Sequence, residues 1–310
     1  MTIESSERTC DMFAGTEDYS RSASERKTCA EGLRMACTWE KTTLGQTGLR
    51  VSPIGLGASY GVSGKDVDRA IERGVNYLYW GSIQRSDFGQ AIRRFAARDR
   101  ENLTLVVQTY TRVGFLMRPA LESALRSLHT DYADLLLLGW WNSAPPRRII
   151  DAALRLKEAG RVRHIMISCH DRPTFQHFIA APEYDAIMVR YNAAHPGAEE
   201  DVFPHLKRRR AGVVGYTATR WGSLLDAALI PAGEPAPKPS DCYRFVLSNP
   251  NVDVCLAGPK DGEELNGALE ALDRGPMDAD EIAWMKRIGA AVRTHHKQSW
   301  MTRRMGGPTS

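Results

Sequence analysis

Tyr79, Tyr110 and His170 have the types and placement for acid–base work. Each closes or directly follows a short apolar run, in "NYLYWGS", "LVVQTY" and "HIMISCH". An imidazole titrates near neutral pH and serves as acid or base. A phenol, with an ordinary pKa of about 10, is a poor acid at pH 7, so either tyrosine needs a cation beside it. His170 or Arg220 would supply one. Trp80, Trp140, Trp141, Tyr191, Asn192, Tyr216 and Trp221 also end or follow apolar runs. Aromatic faces offer stacking area and a negative quadrupole, so this set suits a planar or cationic small molecule. Carboxylates are scarce there. Glu199, Glu200 and Asp201 suit the start of a helix, and Asp171 an N-cap shortly before Pro173. His177, His195 and His205 fall in expected helices or loops, where surface or capping roles suit them.

The elements that must position these residues alternate regularly. Apolar runs predict strands at Pro53–Leu56, Asn76–Tyr79, Leu103–Gln108, Ala133–Leu138, His164–Ser168, Ala186–Val189, Val213–Tyr216 and Val252–Leu256. Between them, "DVDRAIERG", "PALESALRSLH", "IIDAALRLKEAG", "EEDVFPHLKRRRAG", "SDCYRFVLS" and "EELNGALEAL" repeat apolar residues at three and four, as helices do. "DLLLLG" is apolar without alternation, which marks a strand buried on both faces. Eight strands with interleaved helices predict a (β/α)8 TIM barrel. A doubly wound sheet is the competing arrangement, but no GxGxxG follows the first strand. "TTLGQTGLRV" predicts a hairpin ahead of the barrel, and "DADEIAWMKRIGAAVRTHH" an outer C-terminal helix. "IPAGEPAPKPS" reads as a loop over the barrel mouth. Residues 1–38 are polar and weakly periodic, an expected mobile extension, leaving 39–310 for the barrel.

Bulk properties narrow the class. With 43% hydrophobic and 25% charged residues and a net charge of +4, the chain is neither disordered nor strongly basic. No aromatic-basic pattern suggests nucleic acid, and no apolar run suits a membrane span or a signal peptide. A cytoplasmic location is expected. The six cysteines lack paired spacing and suit reduced thiols, although Cys10, Cys29 and Cys37 leave a three-thiol cluster conceivable.

Several ordered motifs resemble the aldo-keto reductases. "LGQTGLRVSPIGLG" is similar to their opening hairpin and first strand, and "GVNYLYWGS" to G-I-N-F-F-D-T-A. "SALRSLHTDYADLLLLGWW" is similar to L-x-x-L-x-x-D-Y-x-D-L-Y-L-x-H-x-P, and "LKEAGRVRHIMIS" to L-x-x-x-G-K-I-R-x-I-G-V-S. Tyr191–Asn192 and "VLSNPNVDVCLAGPK" extend the likeness over about residues 42–272. The resemblance implies the same barrel and reduction of small organic molecules with NADPH or NADH.

The family's catalytic Asp, Tyr, Lys and His do not carry over. Tyr79 stands at the Asp position, Gln84 at the Tyr, Tyr110 at the Lys and Gly139 at the His. The cofactor contacts implied by the resemblance are Ser168 for the nicotinamide amide, Tyr216 for its ring, and Gly258 with Lys260 for a phosphate. Cys169 and Met188 replace the usual Asn and Gln. Glu264 and Ala268 fall near positions that commonly bear a basic residue and an Asn, and a glutamate there repels a 2′-phosphate.

Catalysis is thus expected from Tyr79, Tyr110 and His170. Trp80, Gln84, Trp140, Trp141 and Arg220 would form the substrate pocket, and no metal is expected. Three readings stay open. The first is a nicotinamide-dependent reductase with a non-standard active site, acting on an imine, a conjugated or another small organic acceptor. The second is a non-redox cyclase, isomerase or dehydratase. The third is a catalytically inactive binding protein, in which the N-terminal extension docks a partner.

Overall fold

The computed structural model describes residues 39–81, 83–207 and 210–304, with side chains as far as residue 295. The expected extension over residues 1–38, with its three cysteines, lies outside the described residues.

An antiparallel hairpin of β1 (Thr42–Thr43) and β2 (Arg50–Val51) comes first, turning through Gly45 and Gly48 at positive φ. The parallel strands are β3 (Ile54–Gly57), β4 (Tyr77–Trp80), β5 (Thr104–Thr109), β6 (Ala133–Leu138), β7 (Val162–Ser168), β8 (Ala186–Arg190), β9 (Gly212–Tyr216) and β10 (Val254–Ala257). Each pairs with its chain neighbour, and β10 closes on β3 with Cys255 opposite Ile54. The fold is a (β/α)8 barrel. Each strand lies within two residues of its expected bounds.

Helices α1 (Gly64–Glu72), α2 (Ser86–Asp99), α3 (Gly114–Ser127), α4 (Arg147–Glu158), α5 (Phe175–Ala180), α6 (Ala198–Asp201), α7 (Pro239–Leu247), α8 (Gly262–Arg274) and α9 (Ala279–Arg304) accompany the strands. The helix expected through "EEDVFPHLKRRRAG" is instead α6 followed by a 3-10 turn, Phe203–Lys207. Pro204 has no N–H to continue the α-helical ladder. The Pro-rich segment contributes no residue to the mouth until Pro239 begins α7. Glu234 within it bonds Arg287 of α9 at 2.9 Å, on the outside of the barrel.

The twofold alternation of each strand separates two cores. Tyr77, Tyr79, Val106, Leu135, Leu137, Met166, Met188 and Val214 pack inside the barrel with Leu44 and Val51 of the hairpin. Leu78, Trp80, Leu136, Leu138, Ile165 and Ile167 pack outward against the helices. Both faces of β6 are therefore buried, which accounts for its unbroken leucine run.

Buried carboxylates gather at the opposite end from the mouth, where strands begin. Asp134 accepts from the Leu105 N–H and from Arg100, both at 2.9 Å. Asp253 accepts from the Val213 N–H at 2.9 Å and from Arg210 at 2.6 Å. These acids tie strand starts together. The C-terminal end, where a barrel of this kind builds its site, is left to aromatics and cations.

Candidate active site

A cavity of about 670 Å³ opens at the C-terminal ends of the strands. Tyr79 forms part of its floor. Its hydroxyl donates to Oε1 of Gln108 on the adjacent strand, and its ring lies against Gly57 and Gly81. Burial, and then Tyr110, Tyr216 and Tyr60, raise its pKa, so the phenol stays protonated. The cation that an acidic tyrosine needs is not among these neighbours. Gly139 allows the next contact: a methyl group there would stand 2.5 Å from Nε2 of Gln108 and 2.7 Å from the Tyr110 ring. Gln108 and Tyr110 fill the space that any side chain at position 139 would need.

The end of β7 holds a shaped loop. The Trp140 N–H donates to Oγ of Ser168 at 2.9 Å, and the Trp141 N–H to the Ser168 carbonyl at 2.9 Å. Trp140 has φ 64°, a left-handed conformation that L-residues rarely adopt. Arg112 stabilises this turn by donating to the carbonyls of Gly139 at 3.1 Å and Trp140 at 2.7 Å. Asn142 accepts the His170 N–H at 2.9 Å and so places that residue at the rim. Cys169 is buried beside them and donates to the Asp171 carbonyl at 3.0 Å. Burial pushes its thiol up to about 11, which makes it unreactive at neutral pH.

Arg190, the last residue of β8, lies at the heart of the site. The alternation that turns Met188 inward turns Arg190 inward two residues later. Its Nη2 donates to Nδ1 of His170 at 3.1 Å, and its charge acts on the Tyr216 phenol. A guanidinium has only donors, so Nδ1 must accept and the ring proton of neutral His170 resides on Nε2. Partial burial and then the Arg190 charge lower the His170 pKa, keeping the ring neutral. The Trp140 and His170 rings lie 5.2 Å apart, and the Arg190 guanidinium is 5.1 Å from the Trp221 ring centroid.

The loop after β9 completes this wall. Thr217, Arg220 and Trp221 all have positive φ. Left-handed backbone in non-glycine residues is costly and concentrates at functional sites. Asn192, fully buried, holds the turn by donating to the Thr217 carbonyl at 2.8 Å. Across the cavity, Asp261 caps α8 by accepting from the Glu264 N–H at 2.9 Å. This puts Glu264 in the first turn, where it ion-pairs with Lys260 at 2.8 Å. The Tyr60 ring rests on Gly258.

Tyr79, Tyr110, Trp140, Ser168, His170, Tyr216, Gly258 and Lys260 thus meet around one cavity. Four expected pocket residues do not line it. Trp80 has the opposite strand parity to Tyr79 and packs outward against Gly89 of α2. Trp141 is buried in the outer core, with Arg112 3.8 Å above its ring. Gln84 is exposed between β4 and α2. Arg220 stands behind the wall formed by Thr219, Trp221 and Gly222. Tyr191 is also turned away, packed between Phe203 and Phe245 with its hydroxyl on Glu199. Lining residues missed at the sequence level include Tyr60, Gln108 and Arg190. Strict two-residue alternation carried past Met188 would have found Arg190. Among the described residues, no group of His, Cys, Asp and Glu is placed to hold a metal ion, and no helix is long and apolar enough to cross a membrane.

A model of the aldo/keto reductase family matches residues 63–240. The aldo-keto reductase YhdN of Bacillus subtilis is 25% identical over 211 residues, which are 60% of this chain and 62% of that protein. The chain therefore spans less than two thirds of that relative's length. The L-galactose dehydrogenase of Arabidopsis thaliana is 23% identical over 215 residues, 60% of this chain and 67% of that one. Among solved structures, an aldo-keto reductase of Bacillus halodurans in its holo form superposes with a TM-score of 0.70 at 21% identity. The match covers 81% of this chain and 96% of that one. An aldo-keto reductase of Klebsiella pneumoniae in complex with NADPH gives 0.66 at 21% identity, covering 81% and 95%.

Proposed function

The chain belongs to the aldo/keto reductase family, and on that premise we propose that it is a nicotinamide-dependent oxidoreductase with a non-standard active site. The observation that carries this reading is the Arg190–His170 pair, facing Tyr216 and Ser168 within one cavity.

The cofactor fits the residues present. Ser168 Oγ accepts from Trp140 and keeps its own hydrogen to donate to a carboxamide. Tyr216 presents a ring at the cavity wall for stacking. The bound nicotinamide would supply the hydride. His170 offers its Nε2–H to the acceptor as a neutral donor, an electrophilic role that suits an imidazole whose pKa is lowered. Tyr79 acts as a fixed donor within the wall, because its proton is held by Gln108 and burial makes it a weak acid.

This machinery favours acceptors that gather little localised charge. On reduction of a conjugated acceptor, the electron pair displaced by hydride is delocalised, and the proton that completes the reaction comes from solvent. The cationic ligand suggested by the aromatic faces alone is disfavoured, because Arg190 repels it. Among the acceptors considered, a conjugated compound is thus preferred to an iminium ion. An isomerase would use the same His170 without a nucleotide.

Titration with NADPH and NADH, followed by tryptophan fluorescence, tests the reading, since Trp140 and Trp221 line the cavity. Quenching by either nucleotide, with nucleotide oxidation on adding a conjugated carbonyl, is the expected result. Failure of both nucleotides to bind would overturn it, and turnover without nucleotide would favour the isomerase.

A further inference from the structure

Arg190 has no carboxylate partner among the described residues. Its Nε is buried without a hydrogen bond, although Nη2 holds His170. Arg220 stands behind it with Nε and Nη1 also buried and unbonded, and His195 has a buried, unbonded Nδ1. The neighbours are cations as well. Arg190, Arg220, Arg172 and Arg293 all act on His195, and among the described residues only Arg172 has an acidic partner, Asp201 at 2.7 Å. Among the described residues, Glu264 is the one acid that lines the cavity, and it is committed to Lys260 across it.

The Arg190 and Arg220 charges repel each other, and buried N–H groups without acceptors are costly. An anion in the cavity against Arg190 offsets that repulsion. The planar fork of arginine matches a carboxylate, and the Trp221 face beneath Arg190 keeps that fork flat. We propose that Arg190, backed by Arg220, is a carboxylate-binding subsite, so that the acceptor reduced in this cavity is an organic acid. Because Arg190 touches His170, the carboxylate lies within one or two bonds of the group that His170 addresses. This inference rests on the oxidoreductase reading for the word acceptor, but the subsite itself stands on the Arg190 charge in the cavity.

The probes are benzoate and its neutral counterpart benzamide, titrated into the whole protein by calorimetry, with and without NADPH. Benzoate is expected to bind about tenfold or more tightly than benzamide, the scale of a charge-assisted pair. Arg190→Met should abolish that preference. Arg190→Lys should retain part of it, since it keeps the charge and loses the fork, and this second variant guards against a folding defect in the first. Equal binding of the two probes, or a benzoate preference that survives Arg190→Met, would overturn the proposal. So would displacement of benzoate by inorganic pyrophosphate together with loss of NADPH binding in Arg190→Met, which would assign the guanidinium to the cofactor. A benzoate preference in a protein that binds neither nucleotide would keep the subsite and retire the oxidoreductase reading.

Discussion

The hydroxyl of Tyr79 on β4 donates to Oε1 of Gln108 on β5, and the Tyr79 ring occupies space left open by Gly57 and Gly81. At the position where the sequence resemblance leads one to expect the family's acid, this chain has a donor whose acceptor is a neighbouring amide. Tyr79→Phe leaves that amide oxygen unpaired and should cost about 1 kcal/mol of stability. Loss of a true general acid costs about 10²–10⁴-fold in turnover. Tyr79→Phe should cost far less than this, as thermal melting and kcat together would show.

Gly139 is required by its neighbours. Gly139→Ala sets a methyl group against Gln108 and the Tyr110 ring, and overpacking of this kind costs about 1–3 kcal/mol. Gln108→Ala on the same background should recover part of the loss. Denaturant midpoints of the single and double variants give the comparison.

Acid should weaken the fold through His195. Burial first, then the charges of Arg220, Arg190, Arg172 and Arg293, lower its pKa to about 4. The unfolded chain takes up that proton at about 6.5. The contribution is therefore whole above about pH 6.5 and is lost as pH falls toward about 4. The group is only half-buried, so screening discounts the effect to about 1–2 kcal/mol. Wild type should lose that much more stability than His195→Gln between about pH 7 and pH 4, read from denaturant unfolding at each pH.

Cofactor preference should answer to Glu264. Its ion pair with Lys260 at 2.8 Å occupies the cation that a 2′-phosphate would need, and its own charge repels that phosphate. NADH should be preferred, and Glu264→Gln should shift affinity severalfold toward NADPH. Fluorescence titration of both nucleotides against wild type and variant decides it.

Local pattern went far in this chain. "DLLLLG" has no polar face to show solvent, so a strand buried on both sides was legible before any fold was known. The alternation of such runs with helical periods sufficed for a (β/α)8 barrel, and the strand ends marked where a site must be. His170 and Tyr216 came from that rule and Ser168 from the family resemblance, and all three line the cavity. Trp80 and Trp141 were misplaced by the same rule, because being near a strand end does not say which way a side chain points. Parity does, and Tyr79 inward entails Trp80 outward.

The sequence by itself determined the barrel, the order of its strands and the scarcity of carboxylates at its mouth, since each follows from periodicity and residue type along the chain. Only the tertiary structure decided which groups touch. Arg190 meets Nδ1 of His170 from 20 residues away, and Tyr79 meets Gln108 from 29. Those contacts depend on the register of adjacent strands, on side-chain parity and on the room left by Gly81 and Gly139. None of these is a local property of the chain. They arise when the sheet closes, and they place a neutral imidazole and an unpaired guanidinium in one cavity.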